Sequence, residues 1–375
     1  MKIGIDISQI VYEGSGIATY TSRLVKGLIK STDDNQFVLF GSSLRQKKIL
    51  ELYLEKLPKN NQSIGKIYSL PPLFLETLWN RFHKVNIEKL IGKVDIFHSS
   101  DWLQPPSQAV KITTIHDLII YRYPESFSRR GGHNIVENQK RRLNWVKKES
   151  DLILADSQST KSDIVSFLEI PEKKVKVVYL AADESFKPQP DNKIKQVKEK
   201  YKLNKQYILC VGAREPRKNF EGAINAFNQL DKNYQDFDLV IVGKFGWGED
   251  TDKFKVQSAK LKVLGFVPQE DLPALYSGAS CFVYPSFYEG FGLPVLEAMS
   301  CGCSVVTTNK GSLAEIAGNA AQLVDPLSIE NICDGIKKAI KNRSDHIEAG
   351  FKQAAKFSWN RAIKETLQAY REVYK

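Results

Sequence analysis

Cysteine is scarce in this sequence, and its distribution excludes a disulfide-stapled protein. The 375 residues include five cysteines, an odd number confined to the second half and placed mostly within apolar runs: Cys210, Cys281, Cys301, Cys303 and Cys333. We therefore expect buried free thiols of a reducing cytosol rather than disulfides. Cys301 and Cys303 lack both the two-residue spacer and the second ligand pair of a zinc site, so no metal is expected there.

Long apolar runs are also missing. No stretch approaches the roughly 20 residues that a membrane-spanning helix needs. The amino terminus carries Asp6 inside its first apolar run and has no small-residue cleavage site, which predicts a strand rather than a signal peptide. We expect a cytoplasmic protein, and the sequence leaves attachment to the inner face of the plasma membrane open.

The composition is that of a globular protein, with 42% hydrophobic and 26% charged residues. The length exceeds what one hydrophobic core usually supports and indicates two domains, or at most three. The formal net charge of +11 predicts an anionic partner. Charge alone does not choose among a nucleic acid, an anionic membrane and a phosphorylated small molecule.

Short apolar runs alternate with segments of helical period along the whole chain. The candidate strands are KIGIDI, QFVLF, VDIFHSS, KITTIHD, LILADS and KVKVVYL in the first half, and YILCVG, DLVIVG, LKVLGF, SCFVYPS, CSVVTTN and AAQLVDP in the second. Apolar strands that each precede a helix are typical of buried parallel sheets with right-handed crossovers. The sequence thus predicts the α/β class, with two Rossmann-like, doubly wound domains.

The expected domains are residues 1–181 and 182–357. A polar segment with two prolines, residues 182–206, is interpreted as a hinge followed by a short surface helix. A final helix over residues 358–375 has Ala362, Leu367 and Tyr370 at helical spacing, and we expect it to pack back towards the first domain. Two such domains would face a cleft, where the carboxyl ends of the strands bind ligands.

One motif places two acids around a glycine loop. After the strand run SCFVYPS come Glu289, Gly290 and Gly292, then Pro294 at a predicted helix start and Glu297 in its expected first turn. Backbone N–H groups at a helix start bind phosphate or sugar hydroxyls. Glu297 is a candidate for binding the diol of a ribose, and Glu289 is a candidate for binding a second sugar. Taken singly, Glu297 would only complement the helix dipole and Glu289 would be a solvated loop acid.

A second motif gathers cations before another predicted helix. Arg214, Arg217 and Lys218 crowd the turn that follows the strand run YILCVG. Cations at a helix amino terminus oppose the helix dipole unless an anion lies between them. A diphosphate would remove that conflict, and the alternative is a basic solvated turn.

Two weaker signals lie in the first half. Gly14 and Gly16 separate the first strand from the first helix, which tight turns require in any case. His116 and Asp117 end the strand run KITTIHD, so each is either structural or part of a site.

Together these motifs resemble family 4 of the retaining glycosyltransferases, of fold type B. The resemblance runs nearly end to end and includes the two spaced glutamates and the segments PRKN, IHDL, ADSQSTKSDI, GFVPQEDLPALYSGAS and GSLAEIAGNAAQLVDP. EPRKN with IHDL is most similar to bacterial mannosyltransferase-like members that elongate surface polysaccharides.

The resemblance implies a role for each matching residue, and it makes Glu289, His116, Arg217 and Lys218 the catalytic candidates. The second domain would bind a nucleotide sugar, with Arg217 and Lys218 on the diphosphate and Glu297 on the ribose. The transferred sugar would contact Glu289, Gly290, Phe291, Gly292 and Leu293. The first domain would bind the acceptor, with Gly16 near the diphosphate, His116 beneath the sugar and Asp117 towards the acceptor.

The sequence departs from the family at Ala18 and Ala213, where many members have glycine and arginine respectively. The resemblance implies a hexose, mannose from GDP-mannose, moved to a glycan or to a saccharide on a lipid diphosphate. UDP-glucose and UDP-N-acetylglucosamine stay open as donors. No cofactor or metal is expected, because Arg217 and Lys218 would stabilise the leaving group. The pairs Asp236 and Asp238, and Asp250 and Asp252, are interpreted as chance.

The basic excess has a location of its own. Residues 128–148 carry Arg129, Arg130, Lys140, Arg141, Arg142, Lys147 and Lys148 together with Trp145. This segment either faces an anionic membrane or is a solvated helix face. A nucleic-acid-binding protein is disfavoured, because no recognition motif accompanies the charge. The site residues likewise argue against a binding-only protein with a degenerate site.

Overall fold

The computed structural model of the protein describes residues 1–31, 34–58, 62–99, 101–127, 132–244 and 260–374. The chain divides into two compact units, of which the first combines Met1–Leu180 with Trp359–Lys375 and the second is Ala181–Ser358. Within the described residues, no helix is both long enough and apolar enough to cross a lipid bilayer.

The first unit is built on a parallel sheet. Its strands are β1 (Lys2–Asp6), β2 (Gln36–Ser42), β3 (Ser63–Tyr68), β4 (Ile96–Ser99), β5 (Val110–Ile115), β6 (Leu152–Ala155) and β7 (Val175–Val177). Their spatial order is β3-β2-β1-β4-β5-β6-β7. The sequence did not predict β3, because this edge strand is mostly exposed and so lacks an apolar run.

Helices connect these strands. They are α1 (Gly16–Ser31), α2 (Lys47–Glu55), α3 (Pro72–Leu75), which continues as a π-helical segment over Glu76–Arg81, α4 (Glu88–Ile91), α5 (Ile119–Arg122), α6 (Gly132–Glu149) and α7 (Gln158–Leu168). Short 3₁₀ turns cover Ser8–Val11, Pro124–Phe127 and Glu172–Lys174.

The second unit repeats the plan. Its strands are β8 (Gln206–Val211), β9 (Phe237–Val242), β10 (Leu261–Gly265), β11 (Cys281–Tyr284), β12 (Val305–Thr308) and β13 (Gln322–Val324), in the spatial order β10-β9-β8-β11-β12-β13. Its helices are α8 (Asp191–Lys200), α9 (Phe220–Asn228), α10 (Leu272–Gly278), α11 (Leu293–Ser300), α12 (Gly311–Ala317), α13 (Ile329–Lys341) and α14 (Arg343–Ala354), with 3₁₀ turns at Pro216–Lys218 and Lys232–Tyr234.

The strands form the cores of the units. In the second unit, Ile208, Ile241 and Val283 pack in one buried cluster with the apolar face of α9. All five cysteines are free and buried, which confirms the prediction of thiols without disulfides. The predicted class, α/β with two doubly wound parallel sheets, is likewise confirmed.

The last helix, α15 (Trp359–Val373), belongs to the first unit, although the second unit lies between them in the sequence. The three residues that the spacing singled out, Ala362, Leu367 and Tyr370, are all buried. The helix packs on α1, and the approach is so close that a Cβ added to Gly27 would lie 2.0 Å from Cδ1 of Ile363.

Both sheets reverse their strand order at one point, between β1 and β4 in the first unit and between β8 and β11 in the second. In open α/β sheets, ligands bind beyond the carboxyl ends of the strands at this switch point. The segments that follow these strands therefore position the candidate site residues.

Candidate active site

The turn after β8 is fixed to the loop after β11. Asn219 has a left-handed backbone, with φ of 53°, and its side chain caps α9 by accepting a hydrogen bond from the N–H of Gly222. Its amide Nδ2 donates to the carbonyls of Pro285 at 3.1 Å and Pro326 at 2.8 Å. Pro285 lies in the loop after β11, and Pro326 lies in the loop after β13. Because β8 and β11 are paired neighbours, the bond to Pro285 holds the first two loops at one place on the sheet edge.

Two cations converge there on one carboxylate. Nη1 of Arg217 donates to Oε2 of Glu289 at 2.5 Å, and Nζ of Lys218 donates to Oε1 at 2.6 Å. The hydroxyl of Tyr284 also donates to Oε1 at 2.9 Å. Arg217 additionally pairs with Glu215 through Nε at 2.8 Å. Lys218 and Glu289 are each only 8% exposed, so water screens these contacts weakly.

The charges explain the ionisation of the cluster. Burial would raise the pKa of Glu289, but the charges and hydrogen bonds of Arg217 and Lys218 outweigh burial and lower it to about 2. Burial and the neighbouring Arg217 lower the pKa of Lys218, against the opposing effect of Glu289. The sequence predicted an anion between the cations and assigned it to a diphosphate. In the structure Glu289 itself is that anion.

A glycine-containing loop follows directly. Gly290 and Phe291 lead to Gly292, which caps α11 with φ of 107°, and Leu293 begins the helix. The conformation at Gly292 favours glycine, and an added Cβ would also lie 2.4 Å from Cδ2 of Leu313. The hydroxyl of Ser312 donates to the carbonyl of Glu289 at 2.6 Å, which fixes the beginning of this loop.

The prediction for Glu297 needs one correction. The helix begins at Leu293, one residue before the predicted start at Pro294, so Glu297 is its fifth residue and lies in the second turn of α11 and not in the first. Its carboxylate accepts a hydrogen bond from the hydroxyl of Tyr276 at 3.1 Å. Burial outweighs this bond and raises the pKa of Glu297 to about 7.

The candidate residues of the first unit lie at the carboxyl edge of the first sheet. Gly16 is the first residue of α1. Ser15 caps this helix, since its Oγ accepts a hydrogen bond from the N–H of Ala18 at 3.2 Å. The positive φ of the preceding turn, 82°, belongs to Gly14. Asp117 accepts a hydrogen bond from the N–H of Ile119 at 3.1 Å and so orders the start of α5.

His116, directly after β5, is held from two sides. Its Nδ1 donates to Oδ2 of Asp156 at 2.6 Å, and the ring of Tyr20 meets the imidazole edge-on, with centroids 4.7 Å apart. Burial would lower the pKa of His116, but Asp156 and the more distant acids Asp101 and Asp117 raise it to about 9. The side chain is therefore an imidazolium at neutral pH.

The predicted basic surface is wrong at one residue. Arg142 is 1% exposed, and its Nη1 donates to Oε1 of Gln139 at 2.9 Å inside the first unit. It lies on the inward face of α6 with Leu143 and Val146. Lys140, Arg141, Lys147 and Lys148 are exposed, as predicted. Arg129 and Arg130 fall outside the described residues.

Sequence reasoning missed several residues that shape these sites: Asn219, Tyr284, Asp156 and Tyr20. The sequence contained a signal for two of these residues. Tyr284 is the last residue of β11, and Asp156 follows β6 directly, so both lie at the carboxyl edges where side chains converge. No pattern marked Tyr20, which occupies an ordinary core position of α1.

The acid pairs give no metal centre in the part of the chain that the structure describes. Asp236 and Asp238 flank the first residue of β9, at the end of the strand away from the carboxyl edge. Asp250 and Asp252 lie outside the described residues. Among the described residues, no group of three or more His, Cys, Asp or Glu side chains is arranged to hold a metal ion.

Two family profiles match the chain, one in each half. The profile described as Glycosyltransferase Family 4 matches residues 14–186, and that described as Glycosyl transferases group 1 matches residues 191–357. O-antigen chain mannosyltransferase B of Escherichia coli is 31% identical and covers 99% of this chain and 100% of its own length. O-antigen chain mannosyltransferase RfbU of Salmonella typhimurium is 26% identical, with 86% of each chain covered.

Solved structures show the same fold. Sucrose-phosphate synthase from Thermosynechococcus elongatus superposes with a TM-score of 0.75 at 18% identity, over 100% of this chain and 99% of that one. Anabaena HepE, in complex with UDP and glucose, gives a TM-score of 0.71 at 15% identity, over 99% and 100%. These matches confirm the predicted architecture of two Rossmann-like domains of the GT-B type.

Proposed function

The chain belongs to glycosyltransferase family 4, and we propose that it transfers mannose from GDP-mannose to a saccharide acceptor in the synthesis of a surface polysaccharide. The names of these two relatives support the sugar and the pathway. The observation that carries the donor site is the convergence of Arg217 and Lys218 on the buried Glu289, beside the start of α11.

This cluster suits the binding of a donor diphosphate. Arg217 pairs with the carboxylates of Glu215 and Glu289, and Lys218 pairs with that of Glu289. A diphosphate that approaches the start of α11 adds acceptors for both cations and meets the positive end of the helix dipole. Negative charge grows on this group as the sugar leaves, so cations held in place beforehand stabilise the transition state more than the ground state.

We propose that the reaction needs no metal ion, because Arg217 and Lys218 supply the positive charge that a metal would bring. We also propose that it retains the anomeric configuration, with the acceptor attacking on the face that the diphosphate leaves. Both carboxylate oxygens of Glu289 accept hydrogen bonds, from Lys218 and Tyr284 at one and from Arg217 at the other. Such a carboxylate is a poor nucleophile, which favours an electrostatic role for Glu289.

Ligand-dependent melting tests the donor. A ligand that binds only the folded protein raises its melting temperature. We expect GDP-mannose and GDP to raise it, and UDP-glucose and UDP-N-acetylglucosamine to have smaller effects. If only the UDP sugars raised the melting temperature, the donor would be a UDP sugar and not GDP-mannose. If no nucleotide raised it, the proposal would be overturned. Transfer of labelled mannose in the presence of excess EDTA tests the metal requirement.

We further propose that the first unit meets an anionic membrane that carries a lipid-linked acceptor. Four large apolar side chains are exposed along residues 73–85: Leu73 at 73%, Phe74 at 51%, Phe82 at 58% and Val85 at 40%. His83 stacks on Trp145 of α6 at 3.8 Å, and Lys148 lies over the same indole at 4.7 Å. These contacts place protruding apolar groups beside exposed cations, a combination typical of membrane surfaces.

Sedimentation with vesicles tests the membrane surface. We expect the protein to bind vesicles that contain phosphatidylglycerol and to be released by salt, because cations contribute to binding. Changing Leu73, Phe74 and Phe82 to Ser should weaken binding at every salt concentration. Changing Leu327, exposed at 73% in the second unit, to Ser is the control. Equal binding by both variants would remove the proposed surface.

A further inference from the structure

A buried chain of hydrogen bonds joins the last helix of the protein to the neighbourhood of His116. The hydroxyl of Tyr370, on α15, lies 2.7 Å from Nδ1 of His98, on β4. Nε2 of His98 lies 2.8 Å from Oγ1 of Thr114, on β5. Oγ1 of Thr114 in turn lies 2.9 Å from the hydroxyl of Tyr20, on α1. Each link crosses to another element, so the hydrogen bonds connect α15, β4, β5 and α1 in turn.

Every member of this chain is withdrawn from water. Tyr370, His98, Thr114 and Tyr20 are 0%, 3%, 1% and 7% exposed. Burial lowers the pKa of His98 to about 3, so its ring is neutral and has one donor and one acceptor nitrogen. The ring can therefore accept from one hydroxyl and donate to the other. If one of these hydrogen bonds were broken, a buried polar group would lose its partner at a cost in free energy. This cost keeps the side chains in the observed arrangement.

The chain ends at a side chain that contacts His116. The ring of Tyr20 meets the imidazole at an interplanar angle of 78°, with centroids 4.7 Å apart. Asp156 holds Nδ1 of the same imidazole. Asp156 thus fixes the direction of one ring nitrogen, and the Tyr20 ring restricts rotation and sliding of the imidazole as a whole.

We infer that Tyr370, His98, Thr114 and Tyr20 are positioning residues for His116, so that α15 helps to set the orientation of a catalytic side chain directly after β5. This inference rests on the transfer reaction proposed above and on the catalytic role that the family resemblance implies for His116. None of the four touches the reacting groups; they act through the edge of Tyr20. Packing of α15 on α1 would need only an apolar ring at position 370, whereas the observed hydroxyl completes the path to Tyr20.

Removal of single hydroxyl groups tests the inference. Tyr370→Phe deletes the link to His98, Thr114→Val deletes the links to His98 and Tyr20, and both keep the size of the side chain. Tyr53→Phe is the matched control, because the buried hydroxyl of Tyr53 donates to the carbonyl of Ser22 at 3.1 Å in the same unit but outside the chain. We expect both chain variants to lower kcat about 5- to 20-fold, as loss of orientation does, with donor KM within about twofold of the wild type. Tyr53→Phe should retain the wild-type kcat.

A second measurement does not depend on activity. The protein has five histidines, so the His116 signals in an NMR spectrum of histidine-labelled protein are assignable from His→Gln variants. Tyr370→Phe should shift the ring signals of His116 and should leave those of His346, in the second unit, unchanged. Unshifted His116 signals together with wild-type kcat would overturn the inference.

Failure of the proposed function would look different. If His116→Gln transferred sugar at the wild-type rate, His116 would not be catalytic, whatever the effect of Tyr370→Phe on the spectrum. If His116→Gln were inactive and the chain variants behaved like Tyr53→Phe in both measurements, only the positioning inference would fail.

Discussion

Nη1 of Arg217 donates a hydrogen bond to Oε2 of Glu289 across 2.5 Å, although 72 residues separate them in the sequence. The pairing of β8 with β11 brings the two loops together. Glu289 is then an internal counterion that holds both cations in place before a donor arrives. Preorganisation of this kind costs nothing at the moment of reaction.

Glu289→Gln is expected to lower turnover far more than donor affinity. The amide keeps the size of the side chain but removes the charge that orients Arg217 and Lys218. Removal of a negative charge beside a diphosphate does not weaken its binding in the ground state. We expect kcat to fall about 100-fold, the usual cost of a lost electrostatic contact in a transition state. Steady-state kinetics with saturating acceptor measure both parameters.

Glu315→Gln is the control for Glu289→Gln, since it makes the same change on α12 outside the cluster. It should leave kcat and donor KM unchanged. If the loss of activity in Glu289→Gln appeared entirely as a higher KM for the donor, it would contradict the electrostatic role of Glu289. Melting temperatures of both variants separate these effects from unfolding, because Glu289→Gln leaves the buried Lys218 without its carboxylate.

The fold was largely predictable because each buried strand is a continuous apolar run. The exception, β3, shows the reason, since an edge strand with exposed side chains such as Lys66 has no such run. Arg142 was predictable in principle. It shares the inward face of α6 with Val146, one turn later, but the interpretation followed the run of basic residues and not the helical period.

The site was predictable only in part. Strand ends located Arg217, Lys218 and Glu289, because motifs after parallel strands meet at one edge. Which side chains touch depends on strand order, which no local pattern contains. The pairing of both cations with Glu289 and the contact of Tyr20 with His116 depend on the tertiary structure in this way.

Donor binding should depend on pH through Glu297. Its pKa is raised to about 7 by burial, so its carboxylate is ionised above that pH and protonated below it. On the ribose-binding role that the sequence predicts for Glu297, the ionised form would accept hydrogen bonds from both hydroxyls of the diol. We expect the Kd of the nucleotide sugar to rise about tenfold between pH 8 and pH 6, in line with loss of a hydrogen bond to a charged group.

Glu297→Gln is the matched variant for this measurement. Its Kd should resemble the wild-type value at pH 6 and should vary little with pH. Calorimetry with an intact nucleotide sugar is required, because the terminal phosphate of a nucleoside diphosphate titrates in the same range. A wild-type Kd that stayed constant from pH 6 to pH 8 would exclude Glu297 from the ribose site.

His116 and Asp156 should make stability depend on pH in the alkaline range. The folded-state pKa of His116 is about 9, above the ordinary 6.5. The pair therefore contributes its full stability below pH 6.5 and loses it as the pH rises through 9. The loss is at most about 3 kcal/mol in the free energy of unfolding, from the linkage of pKa shift to stability.

The variant Asp156→Asn isolates this contribution from other groups that titrate above pH 8. Urea unfolding at pH 6.5 and pH 9.5 gives the change in free energy for each protein. The wild type should lose more stability over this interval than Asp156→Asn does. Equal losses would show that the pair does not control the protonation of His116.

The contact between α1 and α15 should be intolerant of a single methyl group. A Cβ added at Gly27 would lie 2.0 Å from Cδ1 and 2.6 Å from Cγ1 of Ile363, so the clash reaches beyond the flexible tip of the side chain. We expect Gly27→Ala to reduce the free energy of unfolding by about 1–3 kcal/mol, despite the better helix propensity of alanine. Ile363→Val removes Cδ1 and should restore part of this loss in the double variant. Additive losses in the double variant, measured by urea unfolding, would mean that the two side chains do not meet and that α15 packs on α1 through other residues.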